Sequence, residues 1–316
     1  MRLARVTRSS ACTTHSIVDP SQHTLPSFLA CPRCHGSLDV AGTCVTCPAG
    51  HAFPNNDGYV DFMVGAVLDA EWHAVAPADQ HLVEALGIAH RLDNYLLPYL
   101  RGYLGDDIRV LDDGTGYGHT VDGLVRRGVD AYGIDPGCRR DQWETLGLRG
   151  RLFSANGRAL PFQDASFDAV ISSGVLEHVA EHLPQGERDG PCAEYVHEVL
   201  RVLKPGGRAL LAAPNGIHPF DYWHTYGKFL RVQIPREKWM PTPSAIRTWV
   251  RSSPVPGTVR FLSPRGYLAF QRIRYHACGR ALSAGMRGLF RLMDWFPPLA
   301  ASPVNPWLVA ELTHAI

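Results

Sequence analysis

Residues 109–118, Arg-Val-Leu-Asp-Asp-Gly-Thr-Gly-Tyr-Gly, constrain the fold of this chain more than any other stretch. They predict a short apolar strand that ends at Asp112 and runs into a loop containing Gly114, Gly116 and Gly118. Glycines let a backbone approach a ligand where any Cβ would collide, and they adopt positive φ angles in tight turns. The helix that follows would direct its N-terminal N–H groups toward whatever the loop holds.

The spacing of this loop differs from the phosphate-binding patterns. No Lys-Ser or Lys-Thr pair follows the glycines as in a P-loop, and Asp112 stands where it would repel a diphosphate. A carboxylate ahead of the glycines suits a positively charged group, such as the ammonium of an amino acid. The loop therefore favours a nucleoside joined to an amino acid over a dinucleotide.

Strands and helices alternate through the rest of the segment 105–215. Tyr132-Gly133-Ile134-Asp135 predicts a second strand that ends in an acid. At the tip of the second strand of a doubly wound sheet, such a carboxylate can accept both ribose hydroxyls. Further runs predict a strand at 166–173, a helix start at 174–179, an amphipathic helix at 198–203 and a strand at 208–213. This alternation predicts a parallel sheet covered by helices on both faces.

The ordered motifs of residues 105–215 resemble those of the class I S-adenosylmethionine-dependent methyltransferases. They are similar in particular to the branch with Leu-Pro-Phe, Ser-Phe-Asp and Val-Leu-Glu-His-Val signatures, which stand here at 160–162, 166–168 and 175–179. The resemblance implies an α/β fold with a Rossmann-like, doubly wound methyltransferase sheet. It also implies S-adenosylmethionine as the cofactor.

The same resemblance assigns the residues that would hold the methionine and ribose parts of the cofactor. Asp112 and the backbone of Gly114 and Gly116 would bind the methionine part, and Asp135 would bind the ribose. Ser173, at the end of the fourth strand, is assigned to the same pocket.

The adenine would lie between Asn156 and Gly157, which follow the third strand. Most relatives carry an aspartate where Asn156 stands. An amide carbonyl can still accept a hydrogen bond from the adenine amino group, so this departure leaves the assignment in place.

Glu177 and His178 fall where the fourth strand gives way to its helix, beside the expected position of the reacting methyl. A histidine with a pKa near neutrality can act as a general base, and His178 is the first candidate. The alternative is that the Glu-His pair caps the helix and lines the cofactor pocket, because this branch often shows the same pair whatever its substrate.

A cysteine-rich stretch precedes the α/β segment. Cys31-Pro32-Arg33-Cys34 is followed by Cys44-Val45-Thr46-Cys47 and then by His51. Two close pairs separated by about a dozen residues can bring four ligands into a tetrahedron around Zn2+. So short a segment buries too little apolar surface to fold unaided, and bound metal would supply much of its stability.

Five candidate ligands compete for four positions on this metal. The stretch 47–53 resembles the zinc ribbon of bacterial ribosomal RNA guanine-N1 methyltransferases, in which Cys-x3-His is followed by an aromatic residue. The resemblance favours three cysteines and one histidine, namely Cys31, Cys34, Cys47 and His51. Cys44 would be a bystander, although a set of four cysteines stays open. Four protein ligands leave no open metal position, so the ribbon is expected to dock substrate or to brace the catalytic domain.

The chain as a whole divides into six predicted segments. They are a disordered tail at 1–26, the zinc ribbon at 27–64, a helical connector at 65–104, the cofactor-binding core at 105–215, a basic and aromatic substrate insertion or lid at 216–300, and a final core strand within 301–316. That strand is expected at 307–312, with 257–262 as the strand before it. No run of about 18 apolar residues is present, so no transmembrane helix is predicted.

Charge is unevenly distributed along the chain. From Gly216 onward there are 13 Lys+Arg against 4 Asp+Glu, whereas the first 215 residues hold 18 against 26. The near-neutral total of +1 therefore conceals a basic C-terminal part, which favours an anionic partner. Arginines among apolar residues over 265–296 predict either a basic amphipathic helix on a membrane surface or a lid helix packed on the sheet.

One titratable cluster stands out in the insertion. His218, Asp221 and His224 lie among aromatic residues just past the fifth strand, and they roughly share one face if the segment is helical. One of the histidines would remove a proton from a hydroxyl or amine nucleophile. The alternative is a polar and aromatic patch that packs the lid onto the domain.

Resemblance and residue patterns together predict a cytoplasmic methyltransferase that transfers the sulfonium methyl group to an O or N atom. The favoured acceptor is a small or lipid-linked anionic metabolite, such as a glycan or natural-product intermediate, because the insertion is aromatic as well as basic. A ribosomal or transfer RNA is the second candidate, suggested by the zinc ribbon. A non-catalytic scaffold with a methyltransferase fold is the third, and the carboxylates at two strand ends argue against it.

Overall fold

A computed structural model describes residues 5–7, 25–63, 67–69, 87–137, 139–181, 183–221, 231–232, 239–268 and 277–316. These residues form an α/β domain preceded by a small module of short strands. His224, most of the predicted tail and the connector residues 70–86 lie outside the described residues.

The part of the chain before the α/β domain consists of short strands. They are β1 (Arg5–Thr7), β2 (Asp39–Ala41), β3 (Cys44–Thr46), β4 (Ala52–Asn56), β5 (Tyr59–Val60) and β6 (Val67–Asp69). β2 to β5 form an antiparallel sheet in chain order, which we call the N-terminal module together with residues 25–38 and 61–63. β1 pairs with β6, so these two pieces of the predicted tail and helical connector are strands.

The central sheet is built from seven strands. They are β7 (Arg109–Asp113), β8 (Asp130–Asp135), β9 (Leu152–Ser154), β10 (Phe167–Ser173), β11 (Leu203–Pro214), β14 (Gly257–Phe261) and β15 (Trp307–His314). A separate two-stranded sheet, formed by β12 (Phe220–Asp221) and β13 (Arg231–Val232), lies between β11 and β14 in the chain. Their order in the sheet is β14-β15-β11-β10-β7-β8-β9. β7 to β11 are parallel, whereas β15 is antiparallel to both neighbours. The predicted Rossmann-like sheet is confirmed, and its last strand lies where the sequence placed it.

Helices cover both faces of this sheet. They are α1 (Leu97–Leu104), which continues a helical turn at 87–91 and a π-helical Leu92–Leu96, and then α2 (His119–Val125), α3 (Arg140–Leu146), α4 (Asp189–Val202), α5 (Pro243–Arg251) and α6 (Ala277–Trp295). Successive strand residues point to opposite faces. Accordingly, Val110 packs in the core with α1 and α2, whereas Leu111 packs in the core with α4 and α5.

The segment after β10 does not form the helix that the sequence predicted at 174–179. Residues 174–181 form turns, and α4 begins only at Asp189. Gly174 and Ala180 have φ angles of 71° and 61°, and a right-handed helix requires negative φ. The turn keeps this stretch at the carboxyl end of the sheet instead of carrying it away as a helix.

The N-terminal module is bonded to the edge of the central sheet at β9. Asp61 forms a parallel bridge with Ser154, and the Phe62 N–H donates to the Ser154 carbonyl at 2.8 Å. On the neighbouring surface, the ring of Phe28 stands edge-on to Tyr132 with centroids 5.0 Å apart. Module and sheet thus share one continuous hydrophobic core.

Candidate active site

The glycine loop after β7 has a conformation that only glycine adopts without strain. Gly114, Gly116 and Gly118 have φ angles of 85°, 54° and 86°. A Cβ on Gly114 would lie 2.2 Å from Cγ2 of Val175, so this position also lacks room for a side chain. The Gly114 N–H donates to the Ile134 carbonyl at 2.9 Å, which fastens the loop to the neighbouring strand β8.

Asp112 lies at the end of β7, beneath this loop, and is only 4% exposed. Burial raises the pKa of Asp112 to about 6, while the nearby Thr115 hydroxyl and the positive charge of Arg91 act in the opposite direction. A buried carboxylate of this kind gains most from a cationic ligand group, because such a group replaces the lost hydration.

Asp135 lies at the end of the adjacent strand β8 and is fixed from two sides. The Gly116 N–H donates to Oδ2 at 2.9 Å, and the Gly137 N–H donates to Oδ1 at 2.8 Å. Burial raises the pKa of Asp135, and the Arg139 guanidinium, 3.6 Å away, partly counteracts this rise. Each carboxylate oxygen keeps further acceptor capacity, which a pair of vicinal hydroxyls can use.

Two residues that the sequence did not single out, Arg91 and Tyr267, meet at the carboxyl end of β10. Arg91 Nη1 donates to Ser173 Oγ at 2.9 Å, and the guanidinium carbon lies 4.6 Å from the centroid of the Tyr267 ring. Arg91 Nε is buried without a hydrogen-bond partner among the described residues. No local pattern marks either residue, because only the folded chain brings them to Ser173.

The loop that follows β9 contains the predicted adenine-binding residues. Asn156 is exposed, and its Oδ1 accepts a hydrogen bond from the Arg158 N–H at 3.0 Å. Gly157 is buried, and a Cβ there would lie 2.4 Å from Cε2 of Tyr195 and 2.8 Å from Oδ1 of Asp113. Gly157 is therefore required by close packing rather than by a positive φ.

Asp113 is a further buried carboxylate, and the sequence pattern assigns it no role. It is 2% exposed, and its Oδ2 has no hydrogen-bond partner in the part of the chain that the structure describes. The Tyr195 hydroxyl beside it donates to Ser172 Oγ at 2.7 Å. Burial raises the pKa of Asp113 to about 7 against the opposing influence of Tyr195. Asp113 points to the α4 side of the sheet, opposite to Asp112.

His178 and Glu181 form a partly exposed pair on the turn after β10. His178 Nδ1 lies 2.6 Å from Glu181 Oε2, which fits an N–H that donates to the carboxylate. This bond leaves Nε2 as the basic nitrogen of a neutral ring. Glu177, in contrast, is 2% exposed.

The predicted cluster in the insertion is only partly described. His218 Nδ1 donates to the Pro303 carbonyl at 2.7 Å, and burial lowers the pKa of His218. Asp221 is buried in β12, an extended strand, so His218 and Asp221 do not share a helical face. His224 lies outside the described residues.

Four of the five candidate metal ligands converge in the N-terminal module. They are Cys31, Cys34, Cys47 and His51, whose ligand atoms all lie within 4.8 Å of one another. Cys47 Sγ is 3.6 Å from Cys34 Sγ, and His51 Nδ1 is 3.4 Å from the sulfurs of both Cys31 and Cys47. In a tetrahedral zinc site these separations are about 3.6 to 3.8 Å. The donor set therefore fits zinc, and Cys44 is not part of it.

Sheet order, glycine loop and strand-end carboxylates define a Rossmann-like α/β fold of the class I methyltransferase type. Residues 111–211, which are less than half of the chain, match the family described as "Methyltransferase domain". A protein of Mycobacterium sp. (strain KMS) named "Uncharacterized methyltransferase" is 38% identical over 112 residues, which cover 35% of this chain and 40% of the relative. A protein of the same name from Mycobacteroides abscessus is 35% identical over 129 residues, covering 37% and 46%. The chain spans less than half of the length of these curated relatives.

Solved structures with a related fold are more distant in sequence. A chain from the complex between the Haloferax volcanii Trm112 methyltransferase activator and the putative methyltransferase is 17% identical, with a TM-score of 0.47, and the match covers 75% of this chain and 96% of that one. The Haemonchus contortus phosphoethanolamine N-methyltransferase 2, in complex with phosphomonomethylethanolamine and S-adenosylhomocysteine, is 15% identical with a TM-score of 0.40 over 75% of this chain and 58% of that one.

Proposed function

We propose that the protein is an S-adenosylmethionine-dependent methyltransferase. The observation that carries this proposal is the charge pattern along the carboxyl ends of β7, β8 and β10. Asp112 is a buried carboxylate at the end of β7, and Arg91 places a guanidinium on Ser173 at the end of the neighbouring strand β10. An α-amino acid carries one group of each sign, and Asp135 on the adjacent strand suits the ribose of an attached nucleoside.

Each part of the cofactor has a matching group in this pocket. Asp112 would bind the ammonium, Arg91 the carboxylate, and Asp135 the ribose hydroxyls. Asn156 and Gly157 would flank the adenine, with the backbones of Gly114 and Gly116 against the methionine part and Ser173 holding Arg91 in place. Bound S-adenosylmethionine would supply an activated methyl group, so the protein contributes mainly alignment and the exclusion of water.

A base is needed only for an acceptor that is protonated at neutral pH. His178 is the candidate in this proposal, because its Nδ1–H donates to Glu181, which makes Nε2 the basic nitrogen of the neutral ring. His218 is held in the same tautomer by the Pro303 carbonyl, and its lowered pKa favours the neutral ring. Together with Asp221 and His224 of the same segment, His218 would position the acceptor.

The centre formed by Cys31, Cys34, Cys47 and His51 would hold zinc. All four positions would be taken by protein ligands, so the metal would supply folding stability rather than a reactive water. Cysteines that serve as ligands must be reduced, which agrees with the cytoplasm as the proposed compartment.

The proposed acceptor is a small or lipid-linked anionic metabolite. Support comes from the excess of 13 Lys+Arg over 4 Asp+Glu after residue 215. The last turn of α6 and the residue after it expose Leu292, Trp295 and Phe296 to 45%, 83% and 60%, next to exposed Arg287 and Arg291 of α6. Exposed apolar and basic side chains on one helix suit the interface of an anionic membrane. Among the described residues no helix is both long and apolar enough to cross a membrane.

RNA is the second candidate for the acceptor, again because of the basic C-terminal part. The two candidates differ in how they respond to salt, since RNA binding weakens steeply with ionic strength. Retention on heparin and co-sedimentation with anionic vesicles, both measured at low and at high salt, separate them.

The first experiment is calorimetric titration of S-adenosylmethionine and S-adenosylhomocysteine into the zinc-loaded protein. We expect micromolar binding that Asp135→Ala abolishes, whereas Asp106→Ala, at a side chain that is 89% exposed, leaves it unchanged. A folded, zinc-loaded protein that binds neither compound would instead support the non-catalytic scaffold.

A further inference from the structure

The N-terminal module holds both ends of the loop that carries the predicted adenine-binding residues. At the start of this loop, the Phe62 N–H donates to the Ser154 carbonyl at 2.8 Å. At its end, the Ala30 N–H donates to the Pro161 carbonyl at 3.0 Å, and two residues later the Gln163 N–H donates to the Phe28 carbonyl at 2.9 Å. Residues 155–160 therefore lie between two sets of backbone hydrogen bonds to the module, which we call clamps. The loop is also bonded to the α/β domain, by the Ala155 N–H to the Asp135 carbonyl at 3.1 Å and by the Leu160 N–H to Glu198 Oε2 at 2.7 Å.

The clamp at Pro161 lies directly beside a metal ligand. Ala30 precedes Cys31, whose own N–H donates to the Gly36 carbonyl at 2.9 Å and whose carbonyl accepts from the His35 N–H at 2.8 Å. These two bonds close the first metal-binding turn. Any movement of Cys31 is therefore passed on to the Ala30–Pro161 bond within one residue.

The clamp at Ser154 leads back to the second metal-binding turn. The Cys47 N–H donates to the His51 carbonyl at 3.0 Å, and β4 begins immediately after His51. From β4, the Pro54 carbonyl accepts from the Asp61 N–H at 2.9 Å, next to Phe62. One strand, β4, and one hydrogen bond therefore connect the candidate metal ligand His51 with the clamp at Ser154.

A row of aromatic rings connects the same two ends through the interior. Phe53 lies two residues after His51, and its ring centroid is 5.0 Å from that of Phe62. Phe62 is 6.3 Å from Phe153, which is 6.0 Å from Phe162. Phe53, Phe153 and Phe162 are fully buried. Because such interiors are close-packed, displacement of one ring requires its neighbours to move.

We propose that the Cys31–Cys34–Cys47–His51 centre is a positioning element for the adenosine end of the cofactor site, so that metal occupancy sets cofactor affinity. The inference rests on the proposed function, because it needs an adenine at Asn156 and Gly157. A module this small depends on its metal to stay folded, and without it both clamps lose one partner. The loop 155–160 then keeps only its bonds to the α/β domain, and the order that the module supplied has to be restored on ligand binding, which costs binding free energy.

The coupling is tested with S-adenosylhomocysteine and with 5′-methylthioadenosine, which lacks the amino acid end. Cys34→Ser removes the exposed ligand and so disturbs packing least, while Cys44→Ser under reducing conditions changes a cysteine of the same module outside the cluster. We expect Cys34→Ser to reduce the affinity for both compounds by about tenfold at limiting zinc. Cys44→Ser should leave both affinities unchanged. Titrating zinc into Cys34→Ser should restore affinity in step with metal occupancy.

Amide hydrogen exchange locates the effect. Metal depletion of the full-length protein should accelerate exchange at 154–163 and leave the glycine-loop segment 109–118 protected. Coupling is reciprocal, so S-adenosylhomocysteine should raise the affinity of the protein for zinc, measured by equilibrium competition with a chelator.

Three outcomes overturn the inference. The first is that the affinity of Cys34→Ser for both compounds does not depend on zinc occupancy. The second is that amide exchange at 154–163 is the same with and without metal. The third is that metal depletion reduces protection in 109–118 as much as in 154–163, which would mean general unfolding. Failure of the zinc-loaded wild-type protein to bind S-adenosylhomocysteine at all defeats the proposed function instead.

Discussion

Arg91 lies across the ring of Tyr267, with its guanidinium carbon 4.6 Å from the ring centroid, and donates to Ser173 Oγ at 2.9 Å. The three residues come from the helix before α1, from the chain between β14 and α6, and from the end of β10. An arginine stacked on an aromatic face keeps its planar fork of donors in one orientation. The site thus holds a preoriented cation near Asp112.

Replacing Arg91 should weaken only ligands that carry the amino acid carboxylate. We expect Arg91→Met to reduce affinity for S-adenosylhomocysteine by about tenfold to a hundredfold, since a charge-assisted bond is lost. Affinity for 5′-methylthioadenosine, measured by the same calorimetry, should change little. Arg126→Met alters an arginine whose side chain is 70% exposed and serves as the control. Equal losses for both ligands would mean that Arg91 acts on the fold rather than on the carboxylate.

Cofactor affinity should fall as the pH drops below about 6. Burial raises the pKa of Asp112 to about 6 in the free protein, and an ammonium partner would lower it in the complex. Binding then requires the ionised carboxylate, so affinity is full above pH 6 and decreases toward tenfold per pH unit below it. Titration of S-adenosylhomocysteine between pH 5 and pH 7 measures this, with zinc content checked at each pH. A flat profile, or one that Asp112→Asn leaves unchanged, would contradict the assignment.

Asp113 should make the wild-type protein less stable as the pH rises. The pKa of Asp113 is raised to about 7, so the folded state binds the proton more tightly than the unfolded state does. The stability that this proton contributes is complete below the ordinary pKa of 3.8 and is lost as the pH rises through 7. Asp113→Asn removes the ionisation. The free energy of unfolding of the variant, taken relative to that of the wild type, should rise by roughly 2 kcal/mol from pH 5 to pH 8, as measured by urea titration. Asp107→Asn, at an exposed carboxylate, should show no such gain.

Two neighbouring glycines should respond differently to the same substitution. Gly114 and Gly116 both have positive φ, but only at Gly114 does an added Cβ meet Val175, at 2.2 Å, whereas nothing lies within 4 Å at Gly116. Gly114→Ala should therefore cost about 3 kcal/mol of stability, and Gly116→Ala about 1 kcal/mol from backbone strain alone. Adding Val175→Ala should recover part of the loss at Gly114. Thermal unfolding that ranks the two variants equally would refute the steric explanation.

The sequence was sufficient for those parts of the fold and site that depend on local pattern. The loop of Gly114, Gly116 and Gly118 needs positive φ angles, and alternating apolar runs specify strands. Arg91 and Tyr267 carry no local signature, because their role arises from contacts between distant segments. The turn at 174–181 was mistaken for a helix because its apolar residues suit either form, and the positive φ angles at Gly174 and Ala180 stop a right-handed helix from extending beyond 175–179.

The metal centre shows a similar division between spacing and fold. Five residues have ligand spacing, and spacing alone does not choose between Cys44 and His51. In the folded module Cys44 begins β3, opposite Pro54 of β4, whereas Cys47 lies beyond the strand in the turn that also holds His51. The end of β3 therefore separates Cys44 from Cys47, which belongs to the cluster of candidate ligands.

The parallel bridge between Asp61 and Ser154 also has a consequence for self-association of the protein. β9 is the last strand of the central sheet, and its outer row of backbone N–H and C=O groups would otherwise be open to pairing. Exposed edges of this kind recruit strands from other molecules and promote aggregation. Because the N-terminal module covers this edge, it also protects β9 from pairing with strands of other molecules. A chain shortened to the α/β domain would lack this protection.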